Sequence, residues 1–185
     1  MNFKLFLASS LLLAVSFCCA QQVGVKAPKL DTIVQNEQIE STSAEKFNKI
    51  LAETFLLYVK TLKYHWNIRG PQFASLHAML NSHYEQLAKQ IDGIAERVRM
   101  LGDFPIGTCV EFLDQSKGIK EQPGVNPKDM QMLSELLADH TSVMDSLKEA
   151  IPFFENKKET DNVDFATKLL EEHQKMAWFL KSHLE

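Results

Sequence analysis

Cysteine, long apolar runs and surplus basic charge are all scarce in this chain, and each shortage removes a class of protein. Of the 3 cysteines among 185 residues, Cys18 and Cys19 lie within the first twenty, so only Cys109 remains in the body of the chain. That excludes a disulfide framework and leaves packing to hold the fold. The apolar run from Leu5 to Phe17 follows Lys4 and ends in Cys18, Cys19 and Ala20. It falls short of the roughly 20 residues that span a bilayer, which argues against a membrane anchor. Its shape is that of a secretory leader cleaved near Ala20, and it predicts an extracytoplasmic protein, periplasmic or secreted. A lipid-modified N-terminus at Cys18 or Cys19 is the alternative, and the bulky Phe17 argues against it. Charge is weighted the other way from nucleic-acid binders: 20 basic residues stand against 24 acidic ones, a net charge of −4, and Lys4 leaves with the leader. Such a balance repels phosphates unless a basic patch is segregated, and the only candidate is a short arm carrying Lys26 and Lys29.

What the chain does have is helical rhythm. Residues 1–20 read as the leader, and 21–40 as a polar, aperiodic arm expected to be mobile. Residues 41–185 read as one all-α domain. Thr42 with Glu45 forms a capping box, after which Phe47, Leu51, Tyr58, Leu62 and His65 follow one helical face until Gly70 and Pro71 interrupt it. A second helix is expected from about Gln72 to Leu101, a third from Pro127 until Pro152 ends it, and a fourth from about Asn162 to His183. No strand pattern competes. The stretch from Gly102 to Asn126 is long for a simple connection and is expected to cross the length of a bundle. Two short connections flanking one long crossover give a ferritin-like four-helix bundle rather than an up-and-down one.

The chemistry-bearing residues concentrate around the second helix. His77 and Asn81 are four residues apart, as are Asp92 and Glu96, so each pair shares one face. His65 closes the first helix and reaches the His77 end. Imidazole nitrogens bind Fe(II) well, while carboxylates favour the Fe(III) that oxidation produces. His77 and Asp92 lie fifteen residues apart, about 22 Å along one continuous helix, so they cannot hold one ion within a chain. Across a twofold axis they can, if the helix lies antiparallel to its copy. The interval turns the helix by about 1500°, some 60° from eclipsed, so both pairs can address the partner. The plainer alternative is a hydrogen-bonded imidazole beside an aromatic plug, with Asp92 and Glu96 as solvated acids paired to Lys89 or Arg99.

The segments HWNIRGPQFASLHAML and YEQLAKQIDGIAERVRMLG, with KMAWFLKSHL near the C-terminus, resemble the Dps-type mini-ferritins from about Lys46 to Leu184. The resemblance implies a dodecameric shell that oxidises Fe(II), preferentially with hydrogen peroxide, and stores a ferric mineral. It implies an inter-subunit ferroxidase centre with His65 and His77 from one chain and Asp92 and Glu96 from its neighbour, and it places Trp66 beside that centre as a trap for oxidising equivalents. Asn81 departs from the family pattern, in which an acidic ligand is common; an amide is a weaker, neutral oxygen donor. Slower oxidation, above all a weaker second iron position, is the expected consequence. Compaction of DNA and a non-catalytic interaction role are the alternatives, the first disfavoured by the acidic balance.

The remaining candidates have structural explanations. No histidine has a glutamate three residues before it, so the intra-bundle diiron pattern is absent and His140 and His173 are expected to be buried and hydrogen-bonded. His83 and His183 are expected at the surface. Glu159, Asp161 and Asp164 suit a helix N-terminus, with the lining of acidic pores as the sharper reading. Gly93 suggests close approach of a partner. Cys109 is expected to be a free thiol in the crossover.

Overall fold

The computed structural model describes residues 41–185; the expected leader and arm lie outside the described residues. Five helices follow in order: α1 (Ser43–Asn67), α2 (Phe73–Met100), α3 (Cys109–Gln115), α4 (Asp129–Asn156) and α5 (Thr160–Leu184). The four long helices match the expected bundle, and the seven-residue α3 interrupts the crossover. Among the described residues no helix is long and apolar enough to cross a membrane.

Local chemistry sets the helix boundaries. The Thr42–Glu45 capping box opens α1 as expected. The chain leaves α1 through the extended Ile68 and turns at Gly70, whose φ of 121° a side chain would oppose. A second box, Thr108 with Glu111, opens α3: the Glu111 carboxylate accepts hydrogen bonds from the Gly107 and Thr108 amides at 3.0 and 2.9 Å. Pro152 does not end α4 as its sequence position suggests; it lies inside the helix, which continues to Asn156. Proline at such a site costs about 3 kcal/mol. The following turn compensates by burying Phe154 completely and stacking it on Phe47 at 4.8 Å between ring centres. Lys158 then turns the chain at φ 60°, with the Glu159 amide donating to the Phe154 carbonyl at 3.0 Å.

The contacts fix the topology. Along α1, Phe47 meets Phe154, Lys60 meets Asp139 and Tyr64 meets Glu135, so α1 and α4 run antiparallel. Short connections also make α2 antiparallel to α1 and α5 antiparallel to α4, with α1 packed on α2 and α4 packed on α5. Since α1 opposes both α2 and α4, those two are parallel, and the segment between them must traverse the bundle. At Gly118 this crossover presses on α4 so closely that a Cβ would stand 1.9 Å from the Ser142 hydroxyl oxygen. Gly93 has no comparable constraint within the chain: a Cβ there would meet the Phe165 ring at 3.8 Å, an ordinary contact.

One ion pair lies inside the core. Lys60 and Asp139 are both buried and meet at 2.5 Å. Burial still pushes the Asp139 carboxyl above its ordinary range, with Lys60 opposing the shift. Next to this pair the Tyr64 hydroxyl donates to Glu135, and burial followed by that carboxylate holds its proton more tightly than usual. Replacing Lys60 by Met strands a buried carboxylate, so Lys60→Met is expected to cost about 3–5 kcal/mol, measured by urea denaturation. The double variant Lys60→Met with Asp139→Leu should recover most of that loss.

Three histidines complete the core. His140 and His173 are fully buried and hydrogen-bonded as expected, and the partner of each is the other, with their Nδ1 atoms 2.9 Å apart. His83 corrects the surface assignment: it is only 5% exposed, because its position on α2 faces α5 and its ring stands edge-on to His140 at 6.1 Å. Burial lowers His83 from its ordinary 6.5 to about 4 and His173 to about 3; for His140, burial is reinforced by the two neighbouring imidazoles. The unfolded chain therefore takes up protons that the native core refuses. Their contribution to stability is complete above pH 6.5 and declines as the pH falls toward about 4 and then 3. Thermal melts across that window should show a falling midpoint, and the decline should be shallower in His83→Leu.

Candidate metal centre

The last turn of α1 and the first turns of α2 meet at a five-residue connection, and there His65 and His77 are locked to one another. His65 Nδ1 lies 3.0 Å from the His77 carbonyl oxygen, and His77 Nδ1 lies 3.0 Å from the His65 carbonyl oxygen. A carbonyl only accepts, so each Nδ1 carries the proton and donates, and each Nε2 keeps a free lone pair. The rings stack with centres 3.8 Å apart. His65 is buried and His77 half-buried, while the neighbouring Trp66 is 69% exposed. Phe73 stacks on the outer face of His77 at 5.0 Å. The result is a pair of imidazoles fixed in one tautomer and one orientation, the arrangement that metal-ligating histidines have when their other nitrogen is held by a carbonyl.

Asn81 lies one turn beyond His77 and is already engaged. Its Oδ1 accepts from the Tyr84 hydroxyl at 2.7 Å, and its Nδ2 donates to Glu85 at 2.8 Å. Tyr84 packs edge-on against His65 at 5.1 Å between ring centres. The oxygen that would face an ion is therefore both neutral and shared. Tyr84 and Phe73 are absent from the residues singled out by sequence, although helical spacing points to both: Tyr84 stands seven residues after His77, Phe73 four before it.

Asp92 and Glu96 are exposed on one face of α2 and pair with no basic side chain among the described residues. The alternative pairing with Arg99 does not occur, since that guanidinium donates to the Asp103 carbonyl and lies over Phe104. α2 is unbroken across its 28 residues, so Asp92 remains about 22 Å and Glu96 about 28 Å from His77 along one chain. Among the described residues no three His, Cys, Asp or Glu side chains of a single chain gather as a metal site. The structure thus brings the two histidines together and leaves the two carboxylates apart from them.

The acids at the start of α5 serve the fold. Glu159 accepts from Ser43 and Asn162, each at 2.6 Å, and Asp161 pairs with Arg97, which holds its carboxyl below the ordinary range. Asp164 is exposed.

The histidine lock is directly checkable. Long-range 1H–15N correlation spectra of the metal-free protein at neutral pH should show both His65 and His77 as Nδ1–H tautomers; Nε2–H signals for either ring would contradict the geometry.

Comparison with known proteins places this arrangement in context. The Ferritin-like domain family matches residues 44–185. A low temperature-induced protein of Nostoc, itself uncharacterized, is 40% identical over 85% of this chain and 88% of its own length. The DNA protection during starvation protein of Brevibacillus brevis is 30% identical over 80% of this chain and 97% of its own. Among solved structures, Dps from Staphylococcus aureus superposes with a TM-score of 0.73 at 30% identity, covering 77% of this chain and 95% of that one.

Proposed function

Because the chain belongs to the ferritin-like family, in its Dps-type branch, we propose that it is an iron-sequestering ferroxidase that takes Fe(II) as substrate, oxidises it preferentially with hydrogen peroxide and stores the ferric product as mineral inside a dodecameric cage. The observation that carries the reading is the reciprocal lock between His65 and His77, which leaves two imidazole lone pairs ready at one end of α2. Asp92 and Glu96 lie unpaired at the other end, and an antiparallel twofold copy of α2 brings one chain's acids to its neighbour's histidines. Two equivalent centres form per dimer. The imidazoles bind the incoming Fe(II), and the carboxylates lower its charge and favour the ferric state. Each of two ferrous ions gives up one electron to one peroxide, whose O–O bond breaks. Hydrolysis of the ferric product releases protons to solvent.

Tyr84 packs on His65 and Phe73 on His77, while Trp66, next to His65 in the chain, is exposed. The leader read in residues 1–20 sends the cage to an extracytoplasmic space, where iron and peroxide otherwise meet uncontrolled. A DNA-compacting role fits less well, because 24 acidic residues outnumber 20 basic ones.

Purified cage given Fe(II) and peroxide without oxygen should develop ferric absorbance. His65→Ala with His77→Ala should slow that rate by at least about tenfold, the lower end of what disrupting a metal site costs. Asn81→Asp should accelerate it, because a carboxylate replaces a neutral amide. Rates equal to wild type in the double histidine variant would remove catalysis at this site and leave the non-catalytic interaction reading.

A further inference from the structure

Away from the proposed centre, α2 and α5 enclose an open cavity of about 390 Å3, and its donors are of a different kind. Met79 and His83 line it from α2, four residues apart; Met176 and His183 line it from α5, seven apart. Each pair therefore projects from a single helical face, the two faces opposing across the cavity. His83 is its best-defined wall. The ring is 5% exposed, it is held edge-on between His140 at 6.1 Å and Phe179 at 6.4 Å, and its Nδ1 has no hydrogen-bond partner. That nitrogen is closed to solvent, so it is the other edge of the ring that meets the cavity. Met176 is 2% exposed, which removes water from its sulfur.

Charge narrows the choice of ligand. Among the described residues that line the cavity there is no carboxylate and no thiol, and the one formal charge is the positive Lys175. Nothing there offsets a divalent ion, whose desolvation cost rises with the square of its charge. Thioethers with imidazole are the donor set that selects soft ions over hard ones. We propose that this cavity binds a soft monovalent transition-metal cation of the copper(I) class, with Met79, His83 and Met176 as ligands and His183 at its mouth. Burial keeps His83 neutral at physiological pH, so no proton competes with the metal there. The site is separate from the His65–His77 pair and differs from it in chemistry: it offers sulfur and nitrogen without oxygen.

The test uses the full chain with Cys18, Cys19 and Cys109 changed to serine, since free thiols also bind copper(I). Under anaerobic reducing conditions the protein is titrated into a coloured bicinchoninate–copper(I) complex. It should withdraw one copper per chain, with a mixed nitrogen and sulfur shell by X-ray absorption. Met79→Leu and Met176→Leu keep side-chain volume and remove only the sulfur, and each should weaken binding by at least about tenfold. His83→Leu should do the same, with circular dichroism confirming the fold. His65→Ala with His77→Ala should bind copper as the parent does. Failure of the parent protein to withdraw copper, parent-like affinity in the combined Met79→Leu and Met176→Leu variant, or loss of binding only in the His65–His77 variant would each overturn the assignment.

Discussion

The centre depends on two N–H···O=C hydrogen bonds exchanged between His65 and His77. They join the end of one helix to the beginning of the next, so they close the α1–α2 connection and set the chemistry of both rings at once. A histidine free to choose its tautomer divides its lone pair between two nitrogens. Here the carbonyls decide, and both Nε2 atoms are left for a ligand. The bond to the His65 carbonyl also satisfies one of the main-chain acceptors that the last turn of α1 leaves open. Structural economy and metal readiness therefore come from one contact.

Below that contact the bundle separates its polar groups by function. Lys60 with Asp139 and Tyr64 with Glu135 tie α1 to α4 beneath the crossover, and Arg97 with Asp161 and Asn162 ties α2 to α5 near the opposite end. Each is a specific pairing that a slipped helix would lose. The three buried histidines are different: they pack ring against ring, without a carboxylate, and are kept neutral by burial. α2 thus carries two kinds of imidazole six residues apart, with His77 held by a carbonyl at the subunit surface and His83 turned inward without a partner.

Much of this fold was legible because helices declare themselves locally. The Thr42–Glu45 box, the 3.6-residue rhythm and the Gly70–Pro71 break are encoded within a few residues of where they act. The Thr108–Glu111 box was equally local and would have revealed α3. Pro152 misled because a penalty of local origin was outweighed by a distant gain, the stacking of Phe154 on Phe47. His83 misled because whether a position on α2 meets solvent or α5 depends on how the two hairpins come together.

By itself, the sequence determined the four long helices, the long crossover and the candidate ligands His65, His77, Asp92 and Glu96, together with the fact that at least fifteen residues of helix keep the last two from His77. All of these follow from a fixed rise and turn per residue. Only the tertiary structure decided which imidazole nitrogens are free and that His83 belongs to the core. Those properties are set by partners that arrive from elsewhere in the chain, and no local pattern carries that information.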